Sequence, residues 1–274
     1  MNSPPPDAVS AIIREVSTRI VMPGFRNLTA PDILEKKPGD LVTKFDIAAE
    51  VFLSEHLCAL VPGSHFLGEE CYEDAPELMG LMDTEGPVWI VDPIDGTGNF
   101  SRGRECFAVM VAFRNDGVTQ GGWIYDPVSN CMLSAEKGKG VLCNGEQLRP
   151  SSDKIALRHL SGSIGTRLSK RLDFLRAQSS LDAESMPTRV QRYRCCGREY
   201  MDFSLGRLHY IQYGISLKPW DHAPGILIAQ EAGLYAAFLE DGSLYDASGG
   251  IKTGHLMAAT DEATWNELHD LLWA

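Results

Sequence analysis

Val88-Trp89-Ile90-Val91-Asp92-Pro93-Ile94-Asp95-Gly96-Thr97-Gly98-Asn99-Phe100 is the stretch on which the reading of this chain turns. It opens with an apolar run of the kind that makes a buried strand, and the run stops where two carboxylates stand three residues apart. Pro93 has no amide proton to give to a ladder and holds its own φ. The backbone is therefore expected to turn between Asp92 and Asp95, bringing both carboxylates and the Ile94 carbonyl to one point. An all-oxygen nest of this kind suits a hard divalent cation. Gly96 and Thr97 add small residues with free amide groups, an arrangement that receives a phosphate, the more so where a helix begins. The same letters also spell an ordinary acidic turn, so the reading depends on acids elsewhere in matching contexts.

Upstream, Phe66-Leu67-Gly68-Glu69-Glu70 is an apolar strand end, a glycine and two adjacent acids. Neighbouring side chains on a strand face opposite ways. Unless the strand has ended, one of the two is expected to meet metal while the other supports it or faces solvent. Glu73, Asp74 and Glu77 read as solvated surface. Before that, Lys36–Asp46 reads as a basic turn through Pro38-Gly39, a short strand, and a helix starting near Asp46, which could be a plain N-cap. That helix is carried by Ile47, Ala48, Val51, Phe52, Leu57 and Leu60 to Pro62-Gly63. An earlier helix, after a frayed start over residues 1–7, uses Val9, Ile12, Ile13, Val16, Ile20 and Val21 and stops at Pro23-Gly24.

Downstream, residues 105–150 read as a β-meander closed by the Asn144-Gly145 hairpin signal. Lys137-Gly138-Lys139-Gly140 lacks the spacing of a phosphate loop and reads as a hairpin turn. Pro150-Ser151-Ser152 opens a polar connection, which divides the chain into 1–150, holding most of the acids, and 151–274, within one compact catalytic unit. The second part alternates strand signals at Gly162–Thr166, Val190–Tyr193 and His209–Tyr213 with helices at Leu168–Gln178 and Glu199–Leu208, as layered α/β folds do. Pro219-Trp220-Asp221 then opens an apolar helix that ends at Gly233. Asp221 alone would pass as an N-cap, and His222 as a packed residue. Closing strands through Gly249-Gly250 and a helix at Trp265–Leu272 finish the chain.

With 274 residues, 44% of them hydrophobic, the chain has ample material for a core, and a net charge of −12 argues against nucleic acid or an anionic membrane as partner. Seven cysteines at spacings that match neither a zinc site nor a disulfide framework point to a reducing cytoplasm. No signal peptide or membrane span is evident.

Four groups of residues now stand in order: Asp40-Leu41-Val42-Thr43 with Asp46, Gly68-Glu69-Glu70, the central stretch from Trp89 to Phe100, and Pro219-Trp220-Asp221. Together they resemble the inositol monophosphatase family of metal-dependent phosphatases, over essentially the whole chain. Lys137–Gly140 with Cys143-Asn144-Gly145 is similar to the segment after that family's central motif. The resemblance implies an α/β/α/β/α layered sandwich of the inositol monophosphatase and fructose-1,6-bisphosphatase type, a homodimer, two to three Mg2+ ions with Mn2+ as a substitute, and Li+ as an inhibitor. Carried over by position, Glu69, Asp92 and the Ile94 carbonyl would hold one ion, and Asp92, Asp95 and Asp221 a second, with a looser third near Glu69. Asp46 and Thr97 would orient and deprotonate water, Glu70 would support them, and Asp95, Gly96 and Thr97 would meet the phosphate. The chain departs from the family where substrate is read. Arg194-Cys195-Cys196 stands where a Gly-Ser/Thr-Ala run is usual, Gln212-Tyr213-Gly214 where a glutamate precedes the Trp-Asp pair, and Gly98 where threonine is frequent. Arg194 and Cys196 are thus candidate substrate contacts, and Arg194 or Arg198 is expected to read a further anionic or polar group, unless it makes only a surface ion pair. Inositol phosphatase, nucleotide 3′-phosphatase, histidinol-phosphatase and fructose-1,6-bisphosphatase activities stay open. So do a non-catalytic metal- or phosphate-binding regulator and a structural metal module.

Overall fold

Strand β4 (Pro87–Asp95) is buried from end to end, as an apolar run must be when both faces of its sheet are covered. Its side chains alternate between two cores, Trp89 and Val91 entering one, Val88 and Ile90 the other. The computed structural model describes residues 4–38, 40–149, 154–178, 186–246 and 250–273. In it β4 lies second in a seven-stranded sheet, parallel to β3 (His65–Gly68) and antiparallel to β5 (Ala108–Asn115). The meander continues through β6 (Val118–Asp126), β7 (Cys131–Glu136), β8 (Val141–Cys143) and β9 (Glu146–Gln147). Asn144 and Gly145 both take positive φ, 50° and 85°, the geometry that a two-residue hairpin turn requires.

Helix α1 (Pro6–Val16) runs on through a π-helical stretch, Ser17–Val21, into a last turn α2 (Met22–Gly24), so it stops where Pro23-Gly24 predicts. With α3 (Lys44–Leu60) it covers the Trp89 face of the sheet. On the opposite face lie α7 (Cys196–Ser204) and α8 (Pro219–Glu231), which enter the core through Tyr200, Phe203, Trp220 and Leu227. That core is shared with a five-stranded sheet of order β11-β10-β12-β14-β13. Its strands are β10 (Ser161–Ser163), β11 (Thr188–Arg189), β12 (Tyr210–Leu217), β13 (Tyr235–Phe238) and β14 (Lys252–Ala259). The far face of this sheet packs on α6 (Thr166–Gln178) and α9 (Glu262–Leu272) through Leu168, Trp265 and Leu268. Helices and sheets thus alternate in the α/β/α/β/α order expected.

Several details differ from the sequence reading. A strand β1 (Ile33–Lys37), hidden by its charged side chains, pairs with β2 (Asp40–Thr43) as an antiparallel ribbon. Helix α3 starts at Lys44 with Thr43 as its N-cap, so Asp46 is the third helical residue and not the cap. That shift turns Ile47 and Val51 outward, 46% and 55% exposed, while Asp46 and Glu50 go inward beside Ala49, Leu53 and Leu57. Helix α7 begins at Cys196 instead of Glu199, β11 ends before Val190, and β12 runs on to Leu217. Asp221 likewise is the third residue of α8, whose N-cap is Lys218. The Pro150-Ser151-Ser152 connection, Gly39 and Gly249 lie outside the described residues. Among the described residues no helix is long and apolar enough to cross a membrane, and the cysteines are free thiols.

Candidate active site

Strand β4 does not turn away at Pro93; it bulges. Asp92 pairs with Met110 and Asp95 with Ala108, three steps along β4 against two along β5, so one extra residue is accommodated at Pro93-Ile94. A residue without an amide proton is suited to such a place, and a bulge re-aims the side chains beside it. Here it lets Asp92 and Asp95 face the same side. Asp221, in the first turn of α8, meets them there, and carboxylate oxygens of the three lie within 4.8 Å of one another.

Each acid is fixed by neighbours. Asp92 Oδ1 accepts the Ile94 N–H at 3.1 Å. Asp95 Oδ2 accepts the Gly197 N–H at 2.6 Å and the Cys195 thiol at 3.0 Å, at the N-terminal end of α7. Asp46 Oδ2 accepts both the N–H and the hydroxyl of Thr43 at 2.9 and 2.5 Å, closing a capping box. Asp46 Oδ1 faces the Thr97 hydroxyl at 3.0 Å, and that hydroxyl lies 2.9 Å from the Ile94 carbonyl. One proton can serve only one of the two acceptors at a time.

Burial and mutual repulsion mark the cluster. The carboxyls of Asp92 and Asp221 are raised well above the ordinary range, first by burial and then by the charges of Glu69 and Asp95. Asp95 is raised to about 6 by burial, against the pull of its hydrogen bonds, and burial also brings Asp46 to about 6. An assembly of buried hard oxygen donors that repel one another fits a divalent cation of the Mg2+ type, which would relieve the repulsion.

Glu69 and Glu70 open a short helix α4 (Glu69–Asp74), so β3 has ended and the two need not face opposite ways. Glu69 lines the cavity, yet lies outside the three-carboxylate group; its Oε1 sits 3.0 Å from Lys218 Nζ and 3.8 Å from Lys36 Nζ. Glu70 pairs with Lys36 at 3.0 Å, and burial followed by the Glu69 charge pushes its carboxyl up to about 8. Glu73 is no free surface acid, since Lys37 reaches it at 3.0 Å. Behind α4 stands a residue that the sequence reading passed over. Glu50, buried on α3, accepts the N–H groups of Glu70 and Cys71 at 2.8 and 2.7 Å and so caps the helix that carries Glu69. A signal was present: Asp46 and Glu50 are one helical turn apart, on the same face.

Gly96, with φ of 87°, is the N-cap of a single turn α5 (Thr97–Phe100) whose first amides have no helical partner. Asn99 Nδ2 donates to the carbonyl of Tyr193 at 2.9 Å and approaches that of Arg194 at 3.4 Å, tying the segment before α7 to this turn. Arg194 lines the same cavity of about 260 Å³ as Glu69, Asp92, Asp95 and Asp221. Cys196 is held on the helix side, its N–H directed to Asp95. Arg198 is committed elsewhere, in an ion pair with the buried Asp126, so that between it and Arg194 only Arg194 faces the cavity.

The chain is similar to known proteins over most of its length. The sequence profile of the inositol monophosphatase family matches residues 8–274. Inositol monophosphatase 1 of Solanum lycopersicum is 32% identical over 238 residues, covering 84% of this chain and 80% of that protein. The Nus factor SuhB of Escherichia coli is 31% identical over 241 residues, 84% of this chain and 85% of that protein. A solved IMPase/NADP phosphatase complexed with Mg2+ and phosphate has the same fold, with a TM-score of 0.76 at 22% identity, over 97% of this chain and 92% of that one.

Proposed function

The chain belongs to the inositol monophosphatase family, and from that premise we propose that this phosphoric monoester hydrolase cleaves a small phosphorylated metabolite with water activated at a Mg2+ centre. The observation that carries the reading is the convergence of Asp92, Asp95 and Asp221 beside the Thr97–Asp46 hydrogen bond. Asp92, Asp95, Asp221, Glu69 and the Ile94 carbonyl would hold two to three Mg2+ ions. When bound, these supply positive charge against the phosphoryl oxygens and lower the pKa of water.

The protein's own groups do the rest. The Thr97 hydroxyl gives its proton to Asp46 Oδ1 while accepting one from the attacking water, so the proton leaves the nucleophile along a path already built. Asp46 is suited to this because it is buried and its carboxyl lies near neutrality. The water oxygen forms the new P–O bond as the ester P–O bond breaks, and the leaving oxygen takes up a proton. The amides of Gly96 and Thr97 receive phosphate oxygens. Glu70 and Lys36 hold the ribbon β1–β2 against α4 behind the site. Mn2+ would replace Mg2+, Li+ would compete for the acidic site, and the working protein would be a homodimer, as the resemblance implies.

A second reading has one observation behind it: SuhB, similar over most of the chain, carries the name of a Nus factor. The deciding experiment is phosphate release from inositol 1-phosphate, 3′-phosphoadenosine 5′-phosphate, histidinol phosphate, fructose 1,6-bisphosphate and glycerol 2-phosphate. Each is run with Mg2+, with chelator, and with Asp92→Asn protein. Mg2+-dependent release that the substitution abolishes supports the hydrolase. Metal binding without release from any ester would favour the regulator.

A further inference from the structure

In a chain of net charge −12, two arginines face the acidic cavity, Arg102 and Arg194, and neither has a carboxylate partner among the described residues. The two lysines nearby are used differently: Lys218 pairs with Glu69 and Lys36 with Glu70. Arg102 leaves the turn that follows α5 and lays Nη1 against the Gly98 carbonyl. A Cβ at Gly98 would stand 3.1 Å from that nitrogen, a tight contact from which the guanidinium would have to shift by a few tenths of an ångström.

Arg194 is placed with equal care. The chain around it is clamped on both sides by residues of the acidic stretch. Asn99 binds the Tyr193 carbonyl ahead of it, and Asp95 binds the Cys195 thiol and the Gly197 amide after it. At φ 56° Arg194 holds a left-handed backbone conformation that arginine rarely adopts. Backbone clamps of this number fix a position while leaving the exposed guanidinium to a ligand.

Resting on the hydrolase reading, we infer that Arg102 and Arg194 form a second phosphate subsite, so that the substrate class is the doubly phosphorylated metabolite. The carboxylates and the ions they would hold serve the phosphate that is cleaved. The two guanidinium groups are left over, and each presents the planar fork that suits a phosphate dianion better than a hydroxyl. A sugar alcohol monophosphate offers them only hydroxyls.

The test compares two pairs of esters, fructose 1,6-bisphosphate with fructose 1-phosphate and adenosine 3′,5′-bisphosphate with adenosine 3′-phosphate. Wild type, Arg102→Ala, Arg194→Ala, the double variant and Arg194→Lys are compared. For at least one pair wild type should favour the bisphosphate by about tenfold or more in kcat/KM, mostly through KM. The double variant should bring that ratio near one, and Arg194→Lys should recover only part of it. Whichever pair shows the preference tells a sugar from a nucleoside scaffold. No preference in wild type for either pair, or a preference that survives in the double variant, overturns the subsite while leaving the hydrolase intact. If no ester is cleaved, the hydrolase reading fails, and calorimetry with the matching bis- and monophosphonates decides the subsite by the same ratio.

Discussion

Replacing Glu50 should weaken the metal site without touching it. The Glu50 carboxylate accepts two N–H groups at 2.8 and 2.7 Å at the start of α4, and its buried setting raises its own carboxyl above the usual range. A hydrogen bond to a charged acceptor contributes about 1.5–3 kcal/mol, and an anion at a helix start about 0.3–1 kcal/mol more. Glu50→Gln keeps the shape and one acceptor but turns an NH2 group toward an N–H, so it should cost about 2 kcal/mol. Glu50→Ala strands both donors and should cost about 3–4 kcal/mol. Gly68→Ala attacks the same joint from the other side, since a Cβ at Gly68 would lie 2.2 Å from Glu50 Oε2. Urea unfolding gives the stability loss, and Mg2+ titration of phosphatase activity gives the functional one. All three variants should need more Mg2+ for half-maximal activity, because Glu69 rides on the helix that Glu50 caps, while kcat at saturating Mg2+ is largely restored. Unchanged unfolding midpoints together with unchanged Mg2+ dependence would refute the argument.

Other outcomes concern the acids and the hydroxyl of the site itself. Thr97→Ala should lower kcat by about 100-fold or more while calorimetry finds Mg2+ binding little altered, because it interrupts proton removal and not the ion. Asp92→Asn should abolish turnover and yet raise the melting temperature in chelator, since it removes a carboxyl whose ionisation is opposed by burial and by the neighbouring acids. The Asp95 carboxyl, at about 6 in the metal-free fold against an ordinary 3.8, holds a proton that the unfolded chain has lost between those values. The folded state therefore binds more protons there, and this group's contribution to stability falls as pH rises through that window. Chelator-treated protein should gain melting temperature on acidification from pH 7 toward about 5, and saturating Mg2+ should remove the gain.

What could be read in the sequence, and what could not, divides along physical lines. Asp92 and Asp95 were legible because two charged residues at the end of an apolar run have few reasons to be there, whereas Asp46 and Asp221 taken alone passed as N-caps and were drawn in by the resemblance. The layered fold was legible from the alternation of strand and helix periods. Both caps were misplaced by three residues, since Asp46 and Asp221 make as good a third position as a cap, and propensity scarcely separates the two. The inward face of α3 was misjudged because Ile47 and Val51 are apolar and Glu50 is not; only its bond to α4, twenty residues on, makes the buried acid preferable to a buried valine. Strand β1 was hidden for a related reason. Glu35, Lys36 and Lys37 do not look like a strand until the acids opposite the two lysines are in place.

Asp95 has a second office, set by its hydrogen bonds. It belongs to the seven-stranded sheet, but the groups it accepts from, the Cys195 thiol and the Cys196 and Gly197 amides, all belong to the N-terminal end of α7, a hundred residues later. The side chain that would hold a metal ion is thus also a peg between early and late parts of the chain. Loss of activity in an Asp95 variant would therefore mix two effects, chemistry and assembly. The late segment is held by the same carboxyl that would meet the ion, so ligand and joint share one side chain. A chain that reaches this arrangement has finished folding, and its metal affinity is in that sense a certificate of completed tertiary structure.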